Sequence, residues 1–268
     1  MDDDSARDQR GAVSGAGRSH GMRFRCKRLV FMALLVACVA GCAPASLAGV
    51  ALPALDRSDV GEPFNADFLM ADPDLEDGTY LSADAVQGFF EKTPYGAPSF
   101  LATYADKGAR AADLVVTVAA KHRISAIWLL GRLERDGALV AARRYPAEAK
   151  QVEFVFSYGC SGRVRCDPTF GSLRAQLDAL AGDLRRSLDD VRAAGFSANG
   201  FGVGAPGRTL DGVSVTPATA ATAALYAVEP LVGGAAGGQE QSWRIYRLYA
   251  AYIGYVPSGA PVNDVPVP

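Results

Sequence analysis

The sequence has little histidine and no excess of basic residues. Only His20 and His122 occur among 268 residues, which excludes a metal site built from several histidines. Lysine and arginine number 27 against 29 acidic residues, for a net charge of −2, so the chain lacks the positive surplus of nucleic-acid-binding proteins. No internal repeat is visible. With 49% hydrophobic and 21% charged residues, the composition is that of a globular protein rather than a disordered or fibrous one.

The N-terminal part of the sequence has a hydrophobic run from Leu29 to Ala40. This run is shorter than a transmembrane helix normally requires. It follows a cluster of basic residues that begins just after Met22, which is a plausible true start. The run ends in Val39-Ala40-Gly41-Cys42. This sequence resembles the lipobox of bacterial lipoproteins, in which the cysteine, here Cys42, is lipidated and becomes the mature N-terminus.

The lipobox resemblance implies an exported protein that is held at a membrane by its lipid. Ala43, rather than aspartate, follows the cysteine, which favours the outer membrane, facing the periplasm, by analogy with lipoprotein sorting in Gram-negative bacteria. Cys38 is a weaker lipidation site, and an ordinary cleaved signal or an uncleaved anchor stays as an alternative. Removal of residues 1–41 takes away seven basic and four acidic residues and leaves a charge of −5, so we expect no attraction to nucleic-acid phosphates.

The few cysteines divide into three groups. Cys26 and Cys38 lie in the segment that would be removed, and Cys42 is the lipidation site. Cys160 and Cys166 remain as an even pair in an oxidising compartment, which predicts a disulfide. The loop that it closes is short, so we expect its entropic stabilisation to be modest and its main effect to be on the shape of the loop.

Hydrophobic periodicity divides the chain after the signal segment into a tether (42–63), one domain (64–256) and a Pro-rich tail (257–268). The domain is predicted to be mainly α with little strand. Ser82 is predicted to be the first N-cap, Thr216-Pro217 a later helix start, and Gly195 a helix stop. The predicted helices cover residues 82–92, 110–122, 124–140, 173–194, 217–228 and 241–253.

An acidic segment precedes the first of these helices. Asp72, Asp74 and Glu76 superficially suggest a calcium-binding loop. However, the position that such a loop requires to be glycine is Asp77, and the position of its last glutamate is Ala83. A solvated turn is therefore the prediction for this segment.

Two further short patterns have little specificity. Residues 152–156 alternate like a short strand, although an extended loop is also possible. Gly202, Gly204 and Gly207 match the spacing of a dinucleotide-binding fingerprint, but no strand precedes them and Pro206 interrupts them. The glycine-rich stretch is predicted to be a turn or short hairpin.

The helix 124–140 is the centre of the predicted domain. At about 100° per residue one stripe of this helix carries three large apolar residues and one carboxylate. The stripe consists of Leu129, Leu133, Asp136 and Val140. This pattern predicts that Asp136 points to the interior and that Glu134 lies on another face. The alternative is that the helix frays at Gly137 and leaves Asp136 solvated.

Aromatic residues follow one another along the last predicted helix at Trp243, Tyr246, Tyr249 and Tyr252. Such residues most often pack in a core, but the walls of sugar-binding clefts are also aromatic. Both interpretations stay open at this point.

Three separated segments together resemble an exported bacterial family of lysozyme-like domains related to lytic transglycosylases. The first runs from Ile124 through Asp136 to Leu139. The second holds Tyr158-Gly159-Cys160-Ser161-Gly162, Cys166-Asp167-Pro168 and the stretch from Phe170 to Gln176. The third runs from Ala221 to Tyr226, continues to Pro230 and is followed by the aromatic helix from Trp243. The match covers about residues 64–256.

The resemblance implies a mainly α, single-domain fold like that of goose-type lysozyme and soluble lytic transglycosylases. It implies peptidoglycan as the substrate, no cofactor and no metal. The catalytic glutamate of the family aligns with Asp136, while Tyr158, Tyr226 and Gln176 would bind the glycan. For each tyrosine, a core position with a satisfied hydroxyl is the alternative.

Two functions are therefore expected. In the first, Asp136 protonates the glycosidic oxygen between N-acetylmuramic acid and N-acetylglucosamine and then takes a proton from the muramyl 6-hydroxyl, which closes an anhydro ring. In the second, the domain binds peptidoglycan or a partner without cleavage. The chain departs from the family in having Asp136, one methylene shorter than glutamate, followed by Gly137. A misplacement of about an ångström can lower a rate on the order of 10²-fold.

Overall fold

A computed structural model describes residues 63–161, 165–233 and 237–259 of this chain. The predicted signal segment, the lipidation site Cys42 and nearly all of the tether lie outside the described residues. Within the described part, no helix is long and apolar enough to cross a membrane.

The described residues form eight α-helices and two 3-10 turns, which confirms the mainly α class. The helices are α1 Asp72–Glu76, α2 Ala83–Glu91, α3 Ala111–His122, α4 Ala126–Gly137, α5 Lys150–Glu153, α6 Leu173–Ala194, α7 Ala220–Val228 and α8 Gly238–Ile253. The 3-10 turns are Phe100–Ala102 and Pro168–Phe170.

Strand is confined, in the described residues, to three antiparallel pairs of two-residue strands. They are β1 Ala105–Asp106 with β2 Ala109–Arg110, β3 Cys160–Ser161 with β4 Arg165–Cys166, and β5 Gly207–Arg208 with β6 Ser214–Val215. The last pair confirms the short hairpin predicted in the glycine-rich stretch. The middle pair is closed by the disulfide between Cys160 and Cys166, whose sulfur atoms lie 2.12 Å apart, so that prediction is confirmed.

The local start and stop signals of the helices act as predicted in most cases. The Ser82 hydroxyl accepts a hydrogen bond from the Ala85 amide at 3.1 Å, and Gly195 ends α6 with a φ of 84°, in the left-handed region that glycine adopts without a steric penalty. The start predicted for α7 is wrong by a few residues, because Thr219 rather than Thr216 caps it and accepts from the Thr222 amide at 3.0 Å.

Two predicted local structures are wrong. Residues 152–156 are not a strand: Val152 belongs to α5, and turns follow it. The acidic segment is not a solvated turn but α1, in which Asp74 is buried and accepts hydrogen bonds at 2.9 Å from the Tyr255 hydroxyl and the Ser258 amide. In both cases partners distant in sequence decide the local conformation.

Helix α4 is the central element of the fold. It packs against α3 and α8, while α6 packs against α3 and α7. Every residue from Ala126 to Glu134 is buried, so this helix has no solvent face before its last turn. Its C-terminal end is where charged side chains meet the protein surface.

Candidate functional site

The last turn of α4 carries both acids that the sequence singles out. The helix ends at Gly137 and is capped by Ala138, which has a φ of 50° and whose amide donates to the Glu134 carbonyl at 2.7 Å. Leu129 and Leu133 are fully buried as the stripe predicted. Glu134 is buried as well, at 7% exposure, because neighbouring elements cover this side of the helix too. Asp136 is less buried, with its side chain 14% exposed.

Asp136 is held between two arginines of its own helix. The Nε of Arg132 donates to Oδ2 at 2.8 Å, and a terminal nitrogen of Arg135 donates to Oδ1 at 2.6 Å. Hydrogen bonds of this kind, between ionised partners, are the short and strong ones. Both oxygens of the carboxylate therefore have a guanidinium partner.

A second carboxylate, Glu229, completes this cluster from the C-terminal end of α7. It pairs with Arg135 and lies 3.8 Å from a terminal nitrogen of Arg132. Burial raises the pKa of Glu229, and the two arginines oppose that shift. The side chains of both arginines and of Glu229 are only 9% exposed. Two buried guanidinium groups thus face two carboxyl groups in the cluster of Arg132, Arg135, Asp136 and Glu229.

The sequence contained a signal for part of this cluster. Arg132 and Asp136 have the i, i+4 spacing of a helical ion pair. Arg135 and Glu229 are 94 residues apart, and no local pattern connects them. Sequence reasoning therefore missed the fact that decides the surroundings of Asp136.

Tyr158 interacts electrostatically with Arg132. Its hydroxyl hydrogen-bonds to Asp183 of α6, and burial raises its pKa, with Asp183 adding to the shift. Arg132 interacts electrostatically with both Tyr158 and Asp136. Of the four predicted site residues, Asp136 therefore binds the Arg132 guanidinium, and Tyr158 acts on it through its electrostatic field.

The side chain of Gln176 is hydrogen-bonded to the backbone of Tyr158. Its side chain is fully buried. Its oxygen accepts from the amides of Phe156 and Tyr158, both at 3.1 Å, and its nitrogen donates to the carbonyls of Tyr158 at 2.9 Å and Phe170 at 3.0 Å. The amide group is fully used, so Gln176 orders the backbone around Tyr158. Its direct contact with a substrate stays a prediction.

Tyr226 occupies the core position that the sequence left open as an alternative. It is fully buried, donates its hydroxyl proton to the Ala66 carbonyl at 2.9 Å and stacks on Phe201 with ring centroids 5.5 Å apart. The structure does not bring it to Arg132. What α7 contributes to the cluster is Glu229, the residue that ends it.

Glu134 has a different environment from Asp136, with tyrosines and backbone amides instead of arginines. Its Oε2 accepts from the Ala141 amide at 2.8 Å, and the Tyr95 hydroxyl also hydrogen-bonds to it. Tyr95 in turn lies 3.1 Å, oxygen to oxygen, from the Tyr249 hydroxyl. Burial raises the pKa of Glu134, although these hydrogen bonds oppose the shift. Burial therefore favours the protonated form of Glu134.

We predict opposite effects of pH for two glutamates of this domain. Because the pKa of Glu134 is raised, its ionisation destabilises the fold, so Glu134→Gln should be more stable than the wild type at pH 7 and equal to it below pH 4.5. Hydrogen bonds from Arg192 and Arg185 lower the pKa of Glu76 to about 2. Glu76→Gln should therefore be less stable than the wild type at pH 7, and the difference should vanish as pH falls towards 2.

Urea unfolding of both variants between pH 3 and pH 7 measures these differences. Each variant serves as the control of the other, since both replace one carboxylate by an amide. Stability differences of the same sign at pH 7 would contradict the environments described for the two side chains.

Comparisons of this chain with known proteins found no relative. No family model, curated protein or solved structure matches this chain. Among the described residues, no group of three or more His, Cys, Asp or Glu side chains is placed to hold a metal ion. The structure thus supports a mainly α class at the level of fold.

Proposed function

We propose that this chain is an exported, lipid-anchored envelope protein whose lysozyme-like domain binds the glycan strands of peptidoglycan. Three separated segments carry the resemblance to that family, and all three contribute to the surroundings of Arg132. The first provides Asp136, the second provides Tyr158, and Glu229 lies between Tyr226 and Pro230 of the third. Segments that share a site in one family are expected to meet in space, and this convergence carries the proposal.

The hydrogen bonds that Asp136 accepts from two arginines favour binding of glycan over its cleavage. A general acid has to present a proton to the glycosidic oxygen, and the same carboxylate then has to accept one. Here one oxygen of Asp136 accepts from Arg132 and the other from Arg135. Cleavage would first require the carboxylate to leave both guanidinium groups. We therefore infer that the domain holds glycan without cutting it.

Cleavage by a different acid is the second candidate function, and Glu134 is the observation that favours it. A carboxyl group whose pKa is raised by burial is the type of residue that protonates a leaving group. Glu134 lies one half-turn of α4 before Asp136, at the same end of the helix. In this second candidate, Asp136 and its arginines would be structural, and the cut would depend on Glu134.

Incubation of the full chain with purified peptidoglycan tests both candidates. We would measure released fragments by mass and the fraction of protein that pellets with the wall. Binding without cleavage predicts that the protein pellets with the wall and releases no muropeptides, and that Asp136→Asn and Glu134→Gln release none either.

Release of muropeptides by the wild type would overturn binding without cleavage. The two variants then identify the acid: loss of release in Glu134→Gln alone supports the second candidate, and loss in Asp136→Asn supports the reaction that the family resemblance implies. A protein that neither pellets nor releases fragments would overturn the proposed function as a whole.

A further inference from the structure

A cleft with a basic wall lies between α3 and the first two turns of α6. Its volume is about 330 Å³. The charged residues that line it are Lys107, Lys121, Arg174 and Asp178. The residues of its wall include no member of the Arg132 cluster and none of the predicted site residues, so the cleft is a separate candidate site.

Contacts between residues distant in sequence place these charged side chains around one space. Helix α3 packs against α6, and Lys121 of α3 forms an ion pair with Asp178 of α6 at 2.6 Å. Arg174 lies one turn before Asp178 on α6, and its amide donates to the Asp106 carboxylate at 3.0 Å. Because Lys107 directly follows Asp106, this hydrogen bond holds the turn at Lys107 beside the start of α6.

Two of the three cations in this wall have no partner. Lys107 and Arg174 are exposed, and neither side chain makes an ion pair or a hydrogen bond with another described residue. Lys121 is different, since Asp178 neutralises it. Asp106 is buried and does not line the cleft, so it offsets the two free charges only in part. A ligand in the cleft therefore meets a positive wall.

Hydroxyl groups and the start of α6 add to the anion-binding character of this wall. Thr117 and Ser172 line the cleft beside the basic residues. The Ser172 oxygen caps α6 by accepting from the Ala175 amide at 3.1 Å, which leaves the hydroxyl proton for a ligand. The first turn of α6 has no acidic residue, so the partial positive charge of this helix end is not offset within that turn.

The charges and donors of the wall limit the chemistry of a ligand. A guanidinium can donate to two phosphate oxygens at once, while an ammonium group binds phosphate as a point charge. A phosphate monoester has about −1.5 to −2 charges at pH 7 and three acceptor oxygens, which matches the two free cations. A single carboxylate has one charge and matches only one of them. Ligand sites range from about 300 to 1,000 Å³, so this cleft suits a phosphate with no more than one sugar ring.

We propose that this cleft binds a phosphate monoester group, held by the side chains of Arg174 and Lys107. The inference does not depend on the proposed glycan-binding function, because different residues form the two sites. Two sources offer the same chemistry: a small phosphorylated sugar in solution and a phosphate monoester at a lipid surface. The experiment has one arm for each source.

The first arm measures binding of glucose 6-phosphate to the full chain by calorimetry and NMR titration at fixed ionic strength. Glucose is the neutral control, and succinate is the control for a dianion without phosphate. We expect glucose 6-phosphate to bind with millimolar or higher affinity, glucose not to bind, and succinate to bind more weakly than glucose 6-phosphate.

The second arm measures co-sedimentation with phosphatidylcholine vesicles that contain or lack phosphatidic acid. The readout is the difference between the two kinds of vesicle, because the predicted lipid anchor would bind both. Binding of glucose 6-phosphate identifies a soluble ligand. A preference for phosphatidic acid without binding of glucose 6-phosphate identifies a lipid surface, and either result supports the site.

Three substitutions test the residues of the wall. Arg174→Gln and Lys107→Gln should each weaken phosphate binding about tenfold, since each removes a charged hydrogen-bond donor. Arg144→Gln is the matched control, because Arg144 is exposed, has no partner among the described residues and does not line the cleft. All three side chains are exposed, so the melting temperatures should stay near that of the wild type.

Any of four results would overturn the phosphate site. The first is no binding of glucose 6-phosphate at tens of millimolar together with no preference for phosphatidic acid. The second is wild-type affinity in both Arg174→Gln and Lys107→Gln. The third is an equal loss in Arg144→Gln, which would indicate diffuse surface charge, and the fourth is succinate binding as tight as that of glucose 6-phosphate. Pelleting with peptidoglycan tests the proposed function separately, so the two can fail independently.

Discussion

Replacing Gln176 by alanine is expected to lower the free energy of unfolding by about 4 kcal/mol, the largest effect predicted for this domain. The side chain is fully buried and satisfies four backbone groups, which belong to Phe156, Tyr158 and Phe170. Each buried polar group that loses its partner costs about 1–3 kcal/mol. Alanine would leave all four unpaired, next to a cavity the size of an amide side chain.

Urea unfolding followed by circular dichroism measures this loss. Gln151→Ala is the matched control, because Gln151 is exposed on α5, and exposed substitutions change stability by about 0.5 kcal/mol or less. The near-ultraviolet spectrum of Gln176→Ala should also change, since the segment around Tyr158 loses its support. A loss below about 1 kcal/mol would contradict the importance of these four hydrogen bonds.

Replacing Arg132 by glutamine is expected to lower the free energy of unfolding by about 3 kcal/mol. The substitution removes a buried positive charge that binds Asp136 and faces Glu229. Breaking a buried ion pair by removing one partner typically costs about 3–5 kcal/mol, because the other charge stays buried without compensation. For a domain of this length, the melting temperature should fall by roughly 6–12 °C.

Arg244→Gln is the control for this substitution. Arg244 also pairs with a glutamate, Glu240, at 2.6 Å, but the two side chains are 41% and 39% exposed. Ion pairs of this exposed kind contribute about 0.3–0.5 kcal/mol. Similar losses in both variants would mean that the Arg132 cluster is as well solvated as a surface pair, and Asp136 would then be free to exchange its arginine partners for a substrate.

The same cluster shows where sequence reasoning about Asp136 reached its limit. Helical spacing correctly placed Leu129 and Leu133 in the core, because the core position of an apolar residue depends mainly on helical periodicity. It could not place Glu134 and Asp136, since both faces of the last turn of α4 are covered by other elements. Asp136 contacts arginines and Glu134 contacts a tyrosine, and this difference depends on how residues distant in sequence pack around the helix.

Residues 152–156 and α1 illustrate the same limit in local structure. Alternating hydrophobicity predicted a strand at 152–156, but in the structure the amide of Phe156 is bound by the side chain of Gln176. A side chain twenty residues away thus replaces the neighbouring strand that such a segment would need. In α1, alternating acids suggested a solvated turn, but Asp74 is buried under Tyr255 and Ser258.

The sequence by itself determined the helical class, most helix boundaries and the disulfide between Cys160 and Cys166. Caps, glycine stops and hydrophobic periodicity act over a few residues, so they can be seen without knowing the fold. Only the tertiary structure decided that Asp136 lies between two arginines, that Tyr226 is in the core, and that the hydroxyl of Tyr246 has no partner among the described residues. These features depend on burial and on contacts between elements far apart in the chain, and local sequence patterns do not specify such contacts.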